Sequence, residues 1–132
     1  SSLLWTKMFK RSRVFLLIFL LPVPEEAPTF LRGHPLNSTA ILISWKGIPP
    51  SRHEEKLLGY RIRYRSKGSE FCYEANTTSN LTQDVIKKLR PNTAYEIMVN
   101  GFNEIGHGRS STVLDLKTLS SGMLGIYYFQ LN

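Results

Sequence analysis

Three segments of the chain alternate apolar and polar residues with a period of two, and no other feature constrains the fold as tightly. Ile41, Ile43 and Trp45 alternate with Leu42, Ser44 and Lys46. Tyr60, Ile62 and Tyr64 alternate with Arg61, Arg63 and Arg65, and Tyr95, Ile97 and Val99 alternate with Glu96, Met98 and Asn100. A helix repeats every 3.6 residues and would scatter these side chains, whereas a strand gathers them on one face. One apolar face and one mostly polar face belong to an antiparallel sheet with a core on one side and water on the other. Val113, Leu114 and Leu116 mark a last strand less cleanly. Turn formers separate the runs at Gly47-Ile48-Pro49-Pro50, Lys67-Gly68-Ser69, Leu89-Arg90-Pro91-Asn92 and Gly106-His107-Gly108. Pro49 and Pro50 lack the backbone donor that a ladder requires. The expected fold is all-β, a two-sheet sandwich between Ala27 and Thr118.

A chain of 132 residues allows one such domain and little more. Its single cysteine excludes an internal disulfide framework and a multi-cysteine zinc site. The formal charge of +7 is uneven. Residues 1–24 hold Lys7, Lys10, Arg11 and Arg13 and no acid, whereas residues 25–119 hold thirteen Lys/Arg against ten Asp/Glu, interspersed. A nucleic-acid binder would concentrate its cations on one face, so no nucleic-acid partner is expected.

The two ends differ from the body. Residues 1–24 run from a basic cluster into the apolar stretch Val14–Leu21, the charge order of a secretory signal peptide, although no Ala-x-Ala-like cleavage site follows. Eight apolar residues fall far short of the ~20 that span a bilayer. A signal peptide, an extension belonging to no fold and a buried helix all remain open for this segment. Residues 120–132 are apolar and uncharged, and they read as a fragment edge or an extra strand. The expected domain covers 25–119.

No catalytic constellation emerges. His34, His53 and His107 stand on separate loops or ends without metal-ligand spacing, so neither a metal nor a cofactor is expected. Gly106-His107-Gly108 lacks the third glycine and the following helix of a phosphate cradle. Glu54 and Glu55 sit in a charged loop and read as solvated. These readings point away from an enzyme. Cys72, in Glu70-Phe71-Cys72-Tyr73, is expected on a short fourth strand as a small, partly buried hydrophobe; a bond to another chain is the alternative.

Asn37, Asn76 and Asn80 each open an N-x-[S/T] triplet. Seven asparagines in a chain one-sixth Ser/Thr would give roughly one such triplet by chance, so three favour the secretory pathway. All three are expected in loops or at strand starts. Arg61, Arg63 and Arg65 form an outward row that invites two readings. One is a strip for an acidic glycan or partner; the other is cross-strand pairing, for instance with Glu96.

Several motifs in order resemble the fibronectin type III family over about residues 28–118. They are Ala27-Pro28, Trp45, Gly59-Tyr60-x-Ile62-x-Tyr64-Arg65, Leu89-x-Pro91-x-Thr93-x-Tyr95, and Asn103-x-x-Gly106-x-Gly108 followed by Ser110-Ser111. The resemblance implies an immunoglobulin-like, seven-stranded antiparallel sandwich. It makes Trp45, Tyr60, Ile62 and Tyr64 core residues, Leu89 a plug at the bottom of the core, Pro91 a fold determinant, and Tyr95 the tyrosine corner whose hydroxyl bonds back to upstream backbone. Gly106 and Gly108 are expected to supply positive φ at the loop tip. Asp84 departs from the pattern, because alternation from Ile86 turns it inward where the family places an apolar residue. A bulge, or Val85 in its place, is the alternative.

The resemblance implies a non-catalytic binding and spacer module in the ectodomain of a cell-surface adhesion or receptor protein, located outside the cell. Its partners would be tandem sibling domains and other extracellular proteins, with loops Gly47–Lys56 and Asn103–Arg109 as contact candidates. Any link to a membrane would come through the parent protein. Two alternatives share the fold: an intracellular scaffold of the muscle giant-protein type and an accessory domain of a larger receptor enzyme. A cytokine-receptor module lacks its Trp-Ser-x-Trp-Ser motif here, and integrin binding lacks Arg-Gly-Asp.

Overall fold

The computed structural model of the chain describes residues 22–50 and 56–123. Within them the regular elements are all strands: β1 (Thr29–Pro35), β2 (Ile41–Lys46), β3 (Gly59–Ser66), β4 (Tyr73–Thr78), β5 (Gln83–Ile86), β6 (Ala94–Phe102), β7 (His107–Ser110) and β8 (Leu114–Lys117). All pairings are antiparallel. One sheet has the order β1-β2-β5; the other runs β4-β3-β6-β7, with β8 also pairing with β6.

The alternation read from the sequence determines the core. Ile41, Ile43 and Trp45 from β2 and Ile86 from β5 meet Tyr60 and Ile62 from β3 and Tyr95, Ile97 and Val99 from β6, with Leu89 closing one end. Burying a side chain of this size contributes about 1.5–3 kcal/mol, so this cluster is the main source of stability. Trp45 and Tyr60 pack edge to face across the sheets at 5.4 Å between ring centroids. Tyr64 is only half-buried and packs on the rim of the core.

β7 and β8 lie on the same side of β6 and together take the place of one last strand, which accounts for its weak sequence signal. The break falls at Ser111, which is buried and does the work of a ladder residue through its side chain. Its amide donates to the Val99 carbonyl at 2.7 Å, and its hydroxyl accepts from the Val99 amide at 3.0 Å.

Four expectations change. Pro22, Val23 and Pro24, expected in the N-terminal segment, pack on the sandwich. Pro24 is fully buried, and a Cβ built on Gly108 would collide with the Pro24 carbonyl oxygen. Gly108 is thus needed for close backbone approach rather than for positive φ, while Gly106 has φ 158°, positive but almost extended. Glu70, Phe71 and Cys72 precede β4, and Cys72 is exposed instead of partly buried because no ladder turns it inward. Asn76 lies within β4 rather than in a loop or at a strand start.

Asp84 does face inward, opposite Ile43 in an unbroken register, without a bulge. It is tolerated because β5 is an edge strand: the carboxylate turns back and accepts the Val85 amide at 2.8 Å. An inward charge of this kind also discourages pairing with a foreign strand. Residues 1–21, 51–55 and 124–132, which carry the signal-like segment, His53, Glu54 and Glu55 and most of the tail, lie outside the described residues.

Candidate functional site

The outward row on β3 stands on the polar face of the larger sheet, and neighbouring strands supply its partners. Arg61 lies opposite Asn76 of β4 and Asn100 of β6. Its Nε donates to Asn100 Oδ1 at 3.1 Å, and its Nη1 stands 3.6 Å from Glu74 Oε1. Asn100 is 1% exposed, and its Nδ2 donates to the Gly101 carbonyl at 3.1 Å. Arg63 reaches across β6, where Nη2 donates to Ser110 Oγ at 3.0 Å. Arg65 Nε and Nη2 both donate to Glu96 Oε2, at 3.2 and 3.1 Å. Each guanidinium in the row thus donates to at least one group within the domain, while the buried Arg63 Nε has no hydrogen-bond partner among the described residues.

Tyr95 opens β6 with its ring in the core, and its hydroxyl accepts the Arg90 amide at 2.9 Å. Thr118 locks the same corner from the other side: its hydroxyl donates to the Arg90 carbonyl at 2.6 Å and accepts the Thr93 amide at 2.9 Å. Pro91, with φ fixed by its ring, starts the turn, and Asn92 takes φ 50°, a left-handed value that asparagine tolerates. At the opposite end the β6–β7 loop is closed by Asn103, whose Oδ1 accepts the Ile105 and Gly106 amides at 3.0 and 3.1 Å. Its Nδ2 donates to the Pro22 carbonyl at 3.2 Å, so Pro22 is tied to this loop.

The three sequons occupy different settings. Asn80 is exposed in the turn after β4, and Asn76 is exposed on β4. Asn37 is half-buried between β1 and β2, and its Oδ1 accepts the Thr39 amide at 2.8 Å and lies 3.2 Å from the Thr39 hydroxyl. His34 and His107 are on different sheets, and no group of three or more metal-binding side chains occurs among the described residues.

A family model for the fibronectin type III domain matches residues 26–117. The chain belongs to the fibronectin type III family. It is 33% identical over 97 residues to rat Contactin-3, a match covering 72% of this chain and 9% of that protein. It is 35% identical over 99 residues to chicken Protein sidekick-1, covering 73% of this chain and 5% of the relative. The chain thus spans about a tenth or less of these curated relatives. Among solved structures, the chicken CNTN1 FN1-FN3 domains superpose with a TM-score of 0.69 at 29% identity, covering 74% of this chain and 33% of that one. The FN5 domain of Drosophila Lar gives 0.60 at 29% identity, covering 75% of this chain and all of that domain.

In this fibronectin type III domain the motif residues Trp45, Tyr60, Ile62, Leu89 and Tyr95 are buried and hold the sandwich together. The residues that the sequence reading passed over lie elsewhere. Phe71 and Tyr73 are large, aromatic and exposed, and Lys87, Lys88 and Arg90 face the same cleft. The Lys-Lys-x-Arg spelling was visible in the sequence, but its aromatic opposite wall was not.

Proposed function

We propose that this domain is a non-catalytic protein-binding and spacer module of a cell-surface adhesion or receptor ectodomain, acting beside sibling domains in a longer chain. The observation that carries the reading is one of coverage. The chain corresponds to 33% of a three-domain piece of chicken CNTN1, about one domain of the three. A further relative carries the name cell adhesion molecule Dscam1, at 26% identity over 91 residues. The anchored ends of the sandwich suit a spacer: Pro22–Pro24 pack on the β6–β7 loop, and Thr118 is bonded to the tyrosine corner. Asn76 and Asn80 are the sequons with exposed asparagines and are the expected glycan carriers; a glycan on Asn76 would stand beside Arg61 and shield that part of the outer face.

The test is to label intact cells with a membrane-impermeant amine reagent and immunoblot the native polypeptide before and after N-glycan removal. Labelling, together with a mass well above 15.1 kDa that falls on treatment, is the expected outcome. An unlabelled polypeptide that does not shift would overturn the ectodomain reading and favour an intracellular scaffold.

A further inference from the structure

The two sheets are unequal in width, and the difference leaves core-facing aromatic surface uncovered. β1 lies against β8 at one side of the sandwich, so the three-stranded sheet ends before it reaches β4. β4 therefore overhangs. Tyr73 is paired with Tyr64 and points to the core side, where its ring stacks on the Tyr64 ring at 5.6 Å and 23°. With no strand opposite among the described residues, Tyr73 is still 60% exposed, and Phe71 before it is 77% exposed. The Phe71 amide donates to Ser69 Oγ at 3.1 Å, tying the segment to the β3–β4 turn.

The facing wall is the segment after β5. Ile86 and Leu89 are both core residues, and the Leu89 amide donates to the Thr39 carbonyl at 2.9 Å. The chain between these anchors must turn sharply. Lys88 is held at φ 59°, a left-handed conformation that disfavours any residue with a side chain. That turn throws Lys87 and Lys88 outward, and Arg90 follows. Together with Tyr64, Phe71, Tyr73 and Tyr95 they line a groove of about 320 Å³. No carboxylate lies within ion-pair distance of these three cations among the described residues, and no acidic residue lines the groove.

We propose that this groove is a docking site for an extended acidic peptide segment of another protein. An aromatic or aliphatic side chain of the peptide covers Tyr73 and Phe71 while its carboxylates meet Lys87, Lys88 and Arg90. Charge complementarity selects this occupant. A second copy of the chain is itself basic, at +7, and the uncharged stretch 124–132 offers nothing to the three cations. Buried aromatic anchors surrounded by charged rims are the usual carriers of binding energy at such surfaces.

The inference rests on reading the domain as a protein-binding module, but its test is separate from the cell-labelling test of that reading. The full chain, kept reduced, is titrated into a fluorescein-labelled Glu-Asp-Tyr-Glu-Asp-Phe peptide and followed by fluorescence anisotropy. Its Gln-Asn-Tyr-Gln-Asn-Phe analogue and size-fractionated heparin are run in parallel. The expected result is saturable, salt-sensitive binding of the acidic peptide. It weakens at least about tenfold in the Lys87→Glu/Lys88→Glu double variant and in Tyr73→Ser, and it is unchanged in Lys117→Glu on the outer face. If Tyr73→Ser does not fold, the double lysine variant at exposed positions decides alone. No peptide binding, equal binding of the uncharged analogue, indifference to charge reversal, or binding of heparin alone would each overturn the proposal. So would a concentration-dependent dimer that Tyr73→Ser abolishes, since a second copy would then be the occupant.

Discussion

The outer face of the larger sheet and the groove under β4 both carry three cations close together, and they use them in opposite ways. On the outer face Arg61, Arg63 and Arg65 alternate along one strand, and flanking strands supply Asn100, Glu74, Ser110 and Glu96. Their hydrogen bonds are internal, so they stabilise the sheet. In the groove Lys87, Lys88 and Arg90 come from an irregular segment, and the rings of Tyr64, Phe71, Tyr73 and Tyr95 rather than carboxylates line it with them. A row of charges in a strand thus marks cross-strand pairing, whereas cations on a forced turn beside uncovered rings mark a surface left for something else.

The sharpest way to break this comparison is at Asn100, the most buried partner of the arginine row. Asn100→Ala removes the acceptor of Arg61 Nε in a site closed to water, and we expect a loss of about 1–3 kcal/mol in urea unfolding. A loss near zero would mean that the outer face is not stabilising. The groove should behave in the reverse sense. Lys88→Gly relieves the left-handed strain and should stabilise by about 0.5–1 kcal/mol, whereas Lys88→Ala, which keeps the strain, should change stability by less than about 0.5 kcal/mol. Parallel loss in both variants would assign Lys88 a structural role and bring the two regions together.

Smaller effects sharpen the contrast. A double-mutant cycle on Arg65 and Glu96, a pair partly open to solvent, should give a coupling of about 0.2–1 kcal/mol that shrinks as salt rises. A pH series tests the aromatic floor shared with the groove. Burial, and then the neighbouring Tyr73 and Tyr95, raise the Tyr64 phenol above its usual 10.0. The folded state therefore holds the proton more tightly, and its contribution is intact below pH 10.0 and lost as pH climbs above that value. Thermal unfolding of the wild type should fall more steeply through this alkaline range than that of Tyr64→Phe. Identical slopes would remove Tyr64 from the account.

Much of the fold was legible because its signals are local. Alternation in β2, β3 and β6 identified the inward residues, and Leu89, Pro91 and Tyr95 marked the corner, since each acts within a few residues of its own position. The last strand was less legible because Ser111 breaks it with a side-chain substitution for a ladder bond, and a serine there looks like any other. Gly108 was misread because the residue it accommodates, Pro24, is far away in sequence. The candidate surfaces were only half visible. The Arg65–Glu96 pairing was anticipated, but the partners Asn100 and Ser110 are short polar residues with no pattern of their own.

The sequence by itself determined that this chain would be a sandwich, which faces would be buried, and which family it resembles, because periodicity and turn chemistry act at short range. Only the tertiary structure decided which charges are satisfied and which aromatics are covered. Tyr73 follows the inward alternation of β4 as faithfully as Ala75, which packs against the core, and still stands open to solvent. The reason is the unequal strand count of the two sheets. An alternating strand specifies which way its side chains point, but the number of strands in the opposite sheet decides whether anything meets them.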